Sequence, residues 1–149
     1  MSEASEAENT LASRHRRWGW ACLGLFALVG LVLESLHGFK LAAFVDHETR
    51  RSMWRLAHAH GALLGLVHLG FASQLASSQL DARQLAAEQG DRWSSASAAL
   101  RVASVAMPAG FALGGAWYYD GDPGIGILLV PIGGVALVFA CARLWAANR

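Results

Sequence analysis

The chain has 149 residues, of which 54% are hydrophobic and only 15% charged, with a formal net charge of +1. A soluble domain carries about 25% charged residues, so this composition points away from one. A near-neutral chain also lacks the basic field that draws in nucleic acid, so no nucleic-acid partner is expected.

Residues 1–13 are polar and acidic, with Glu3, Glu6 and Glu8. They have little apolar surface to bury and read as a disordered tail ahead of a single domain over 14–149. Arg14, Arg16 and Arg17 then precede an apolar run over about 18–39. The run is long for a signal peptide, carries Glu34 near its end and lacks a well-placed cleavage site, so it is read as a first membrane span. Further spans are expected over about 53–76, 96–119 and 123–145. Each is long enough, at 1.5 Å per residue, for a hydrocarbon core of about 30 Å. The six tryptophans, Trp18, Trp20, Trp54, Trp93, Trp117 and Trp145, all fall at or near span ends, and Tyr118 and Tyr119 join Trp117. Such an aromatic belt belongs at lipid headgroups rather than in a soluble bundle. The expected fold is therefore an all-α, integral membrane four-helix transmembrane bundle, with the lipid bilayer as its first partner.

Charge asymmetry sets the expected orientation. With the N-terminus inside, the inner side holds Arg14, Arg16, Arg17, Arg83, Arg92, Arg101, Arg143 and Arg149, against Lys40, Arg50, Arg51 and Arg55 outside. This bias puts both termini on the cytoplasmic side of a cell (inner) membrane. Cys22 and Cys141 then lie in apolar runs near that reducing side, where they read as small apolar residues and not as a disulfide.

The connections differ. The first loop, 38–52, mixes Phe39, Leu41 and Phe44 with charge and is expected along the outer interface. In the second loop, 80–89 reads as a short surface helix ended by Gly90, with Ser94, Ser95 and Ser97 as caps for span three. Asp120-Gly121-Asp122-Pro123-Gly124 reads as a tight turn, Asp122 capping and Pro123 opening span four. Helix faces that pack in lipid favour small residues. Gly61 with Gly65, Gly110 with Gly114, and the glycines of span four (Gly124, Gly126, Gly133 and Gly134) supply them. Pro108 and Pro131 are expected to kink spans three and four. Glycine-rich faces also leave room for assembly with other membrane subunits or into a homo-oligomer.

Ionisable residues inside spans are expensive and usually functional. They concentrate in spans one and two: Glu34 and His37, then Arg55, His58, His60 and His68. At about 100° per residue, Glu34 and His37 share a face with Ala27 and Gly30, while His58, Gly61, Gly65, His68 and Ala72 fall in a sector of about 80°. His58 and His68 are therefore expected to face the bundle. His60 points to nearly the opposite side, toward lipid or a third helix. His68 lies about 15 Å from His58 along the axis and cannot share an ion with it.

Three readings fit this cluster. A metal site would use Glu34, His37 and His58, since Glu-x-x-His is a spacing found in helical-bundle metal sites. A haem b site would use two of His37, His58, His60 and His68 as axial ligands. A transition metal or haem b is thus the expected cofactor class, for redox or electron transfer. A proton-linked or quinone-linked site would use the same residues with no cofactor. In the third reading Glu34 and the histidines only make interhelical hydrogen bonds in a structural or accessory subunit. No nucleophile–base pair, phosphate loop or zincin motif is present, so an enzyme in its own right is not expected. The active region is placed between spans one and two, in the outer leaflet.

Overall fold

The computed structural model describes residues 3–78 and 87–147, with side chains from 11 to 77 and from 91 to 147. Helix α1 runs over Glu3–Gly38, a short α2 over Ala42–Val45, α3 over Glu48–Ser78, α4 over Ala87–Ala116 and α5 over Leu129–Ala147, with a 3-10 turn at Ile125–Leu128 before α5. Among the described residues, four helical segments are long and apolar enough to cross a membrane: Leu11–Gly38, Glu48–Ser77, Asp91–Ala116 and Ile125–Ala147. Helices α1, α3 and α4, with 36, 31 and 30 residues, are longer than a hydrocarbon core of about 30 Å requires. The 36 residues of α1 span about 54 Å at 1.5 Å each; its candidate span, Leu11–Gly38, leaves out the first eight of them.

The helices pack in the order α1 on α3, α3 on α4, α4 on α5. Half of the α4 segment is buried against 11% of α5, so α3 and α4 form the middle and α1 and α5 the flanks. Leu25, Leu28 and Leu31 on α1 and Ile132, Val135 and Val138 on α5 face outward, as a lipid-facing surface requires.

The small-residue faces pack as expected except at Gly134, where an added Cβ would meet nothing within 4 Å. On α3, a Cβ added at Gly61 would lie 2.2 Å from the Phe26 ring of α1, and one at Gly19 would lie 2.8 Å from the Gly65 carbonyl. On the other seam, Gly110 sits against Val130 and Gly133 against Met107. The closed core is at the end away from the α1–α2 loop. There Ala12, Phe71, Leu75, Trp93, Ala96, Leu100 and Ala140 meet from all four long helices.

Several expectations about the connections change. Helix α1 begins at Glu3 and takes in most of the segment expected as a disordered tail. Alanines and glutamates, frequent in this stretch of the sequence, favour helix. Residues 79–86, most of the expected second-loop helix, lie outside the described residues. Gly90 does not end a helix; α4 starts at Ala87 and runs through it. Ser95 and Ser97 are consequently inside α4 and not caps: Ser95 accepts from Arg143 and Ser97 bonds His15.

Asp120-Gly121 is a tight turn. Both residues have positive φ (49° and 88°), and Tyr119 and Asp122 exchange backbone hydrogen bonds at 3.0 and 2.9 Å. That is a two-residue hairpin turn with left-handed central residues, for which Asp-Gly is a preferred pair. Asp122 caps nothing. Gly124 precedes the 3-10 turn without a side-chain cap, its N–H held by the Gly114 carbonyl at 2.9 Å. Pro131 sits in the first turn of α5, where a missing N–H is tolerated, so it has no mid-helix kink to impose. Pro108 does lie inside α4.

The first loop folds onto the bundle end. Phe44 is buried between the His37 ring and a stacked Trp54. Arg50 lies over the rings of Trp54 and Tyr118 and donates to the carbonyls of Ala43 and Gly115.

Candidate functional site

The buried face of α1 recurs at three and four residues: Ala12, His15, Gly19, Cys22, Leu33. This stripe is aimed at α3 and carries a histidine near its start. His15 Nδ1 meets His68 Nδ1 of α3 at 2.6 Å, and His15 Nε2 meets Ser97 Oγ of α4 at 2.7 Å. Both rings are buried, and Phe71 packs edge-on against His15. One turn along, Trp18 Nε1 donates to Ser104 Oγ at 3.1 Å. Helices α1 and α4 both rest on α3, and these two side-chain bridges join them to each other.

A contact between two Nδ1 atoms needs one proton between them. If His15 donates, its Nε2 accepts from Ser97 and His68 carries an N–H at Nε2. If His68 donates, His15 donates on to Ser97 and His68 Nε2 is a bare lone pair. In either arrangement His68 Nε2 is buried without a hydrogen-bond partner.

In front of His15, on the side away from α3, a cleft of about 470 Å³ opens between α1 and α4. Arg14, Arg17 and Trp18 line it from α1, and Ser97 and Arg101 from α4. Among the described residues no carboxylate lines it. Among the described residues the one carboxylate–guanidinium pair is Arg143 with Asp91 at 2.8 Å, outside the cleft. Arg14, Arg17 and Arg101 thus line one groove, and among the described residues no carboxylate lines it with them.

The residues expected to form the site do not converge. His58 faces the bundle, as expected, but its Nδ1 lies 2.6 Å from the Phe26 carbonyl and its ring fills the space over Gly30. The α1 face toward α3 continues through Leu33; Glu34 is exposed, and His37, also exposed, lies against Phe44 at the bundle end. His60 faces the third helix: its ring is 4.7 Å from that of Phe111 on α4, with Nδ1 on the Leu56 carbonyl. Of the expected ligands, only His68 has another histidine within bonding distance, and that partner is His15. Among the described residues no group of three or more His, Cys, Asp or Glu side chains is placed to hold a metal ion.

Sequence reasoning missed His15 because it sits among Arg14, Arg16 and Arg17, ahead of the apolar run. The signal that finds it is periodic. His15 is four residues before Gly19 and seven before Cys22, on the same small-residue face that packs against Gly65. Comparison with protein-family models, curated proteins and solved structures gives no match.

Proposed function

We propose that this is a multi-pass membrane protein that binds an anionic ligand in the cleft between α1 and α4, acting as a binding or accessory protein and not as a catalyst. The single observation that carries this reading is that Arg14, Arg17 and Arg101 line one groove and that, among the described residues, no carboxylate lines it. Guanidinium groups near lipid need counter-ions, and their planar forks match phosphate and carboxylate. His15, His68 and Ser97 set the width of the groove by joining α1 to α3 and α4 beneath it. In this reading the protein lies in a cytoplasmic-type membrane with both termini inside, which puts the cleft at the inner headgroup level.

The haem b and transition-metal readings find no group of three or more ligating side chains among the described residues. His37 lies against Phe44 and His58 bonds the Phe26 carbonyl, and the α1–α3 seam is closed where Phe26 covers Gly61 and His58 covers Gly30. A flat macrocycle has no gap there to enter. A proton-linked role has one supporting observation, the single proton shared by His15 and His68 with an unpartnered Nε2 beyond it.

The test is thermal unfolding of the detergent-purified protein with octyl phosphate at constant ionic strength. Wild type should gain several degrees, and Arg17→Gln or Arg101→Gln should remove the gain. No gain in wild type, or an equal gain in all three proteins, sinks the reading. A reporter fused after residue 149 tests the orientation: activity outside the cytoplasm would reverse it.

A further inference from the structure

Resting on the anion-site reading above, we infer that the occupant of the cleft is an anionic phospholipid. Its phosphate is held by Arg14, Arg17 and Arg101, and one acyl chain runs along α1.

Three observations carry this. The first is the direction in which the cleft opens. Because α1 and α4 both lie on α3, the groove between them faces away from the bundle, toward the lipid surface. The second is depth. Arg101 lies well inside α4, but the bridges from Ser97 to His15 and from Ser104 to Trp18 bring it level with the start of the apolar run of α1. That is where headgroups sit and where an uncompensated guanidinium would otherwise remain. The third is the surface beyond the arginines. Arg14, Arg17, Trp18, Ala21, Leu25 and Leu28 fall on one face of α1 at three- and four-residue spacing. The first two are basic, and Trp18, Leu25 and Leu28 are exposed and apolar. Exposed Val105 of α4 is one turn beyond Arg101. The surface is thus cationic at one end and apolar along the rest, complementary to an amphiphile. A free phosphate would use only the arginine end and leave the stripe without a role.

The specificity follows from charge. A phosphatidylglycerol phosphate brings a net negative charge that three guanidiniums can share in charge-assisted hydrogen bonds. A phosphatidylcholine of the same chains brings its own cation into the same groove.

The experiment is native mass spectrometry of the full-length protein in detergent, titrated with phosphatidylglycerol or phosphatidylcholine of matched chains. Thermal unfolding with glycerol 3-phosphate is measured in parallel. Wild type should retain phosphatidylglycerol at least tenfold more tightly than phosphatidylcholine. Arg101→Gln and Arg17→Gln should each remove most of that preference, Arg101→Lys should restore part of it, and Arg16→Gln, outside the cleft, should leave it unchanged. Arg17 is exposed on α1, so its variant reports even if Arg101→Gln does not fold. Equal retention of both lipids overturns the proposal. If the lipids bind equally but glycerol 3-phosphate stabilises wild type and not Arg17→Gln, the anion site stands and its occupant is a soluble anion. If neither lipid nor glycerol 3-phosphate responds to either arginine variant, the anion-site reading falls as well.

Discussion

His15 and His68, 53 positions apart in sequence, meet Nδ1 to Nδ1 at 2.6 Å, with their ring centroids 4.8 Å apart and only 25° between planes. With Ser97 on the far nitrogen of His15, three helices are tied by two consecutive side-chain hydrogen bonds. The tie lies beside the apolar core formed by Phe71, Leu75, Trp93 and Leu100, where a polar group without a partner is costly.

The two histidines should therefore behave as one unit. His15→Ala leaves His68 and Ser97 unpaired, and His68→Ala leaves His15 unpaired toward α3. Each should lower stability by about 1–3 kcal/mol, the penalty for stranding a buried polar group. The double variant should cost clearly less than the sum, with a coupling energy of about 0.5–3 kcal/mol. His37→Ala, at an exposed position, should be near neutral. Unfolding of the four proteins in detergent decides it: additive losses, or a His37→Ala as damaging as His68→Ala, would show that the contact does not hold the helices.

The α1–α3 seam should be intolerant of one added methyl group at Gly19 and tolerant at Gly24 and Gly70. A Cβ at Gly19 would lie 2.8 Å from the Gly65 backbone oxygen, which cannot rotate away, whereas Gly24 and Gly70 have nothing within 4 Å. Gly19→Ala must push the helices apart, at about 1–3 kcal/mol for overpacking. Gly24→Ala and Gly70→Ala should be neutral or slightly stabilising, because alanine is the better helix former. Melting temperatures of the three variants check this, and equal values would mean that the helices are not in close contact at Gly19.

How much of this was legible in the residues depends on the kind of signal. The four spans, the turn at Asp120-Gly121 and the glycine seams come from patterns that local physics enforces: span length against bilayer thickness, Asp-Gly at positive φ, small residues where backbones touch. The inward aim of His58 and His68 follows from helix angle alone. What failed was the choice between neighbouring residues on a helix edge. The face of α1 through Gly30 could continue at Leu33 or Glu34, and packing against α3 selects Leu33. The arginine cleft was not legible at all. It joins Arg14 and Arg17 to Arg101 across helices that pack on α3, and no sequence period spans that distance.

The turn between α4 and α5 should depend on Gly121 and not on Asp122. Gly121 has φ of 88°, where a side chain is strained, and its carbonyl accepts from Thr49 of α3. Gly121→Ala should cost about 1 kcal/mol or more. Asp122→Ala should have no more than a few tenths of that effect, since the Asp122 backbone makes the hairpin bonds and its side chain caps no helix. A stability loss at Asp122→Ala matching that of Gly121→Ala, measured by thermal unfolding, would restore the capping role expected for it.

The purified protein should show no Soret band and no stoichiometric transition metal. Glu34 is exposed and His37 lies against Phe44, while His58 is turned onto the Phe26 carbonyl and His60 onto the Leu56 carbonyl. His58 faces α1 and His60 faces Phe111 on α4, so the two rings look toward different helices and cannot clamp one iron. His15 and His68 offer two imidazoles, but at 2.6 Å their nitrogens are in hydrogen-bond contact. Two nitrogens bound to one ion at about 2.0 Å each would have to stand farther apart. Absorption spectra and elemental analysis of protein expressed with added haem precursor and metals check this. A Soret band lost in His58→Ala, or one equivalent of metal lost in His68→Ala, would require α1 to move off α3 and would overturn the closed seam described above.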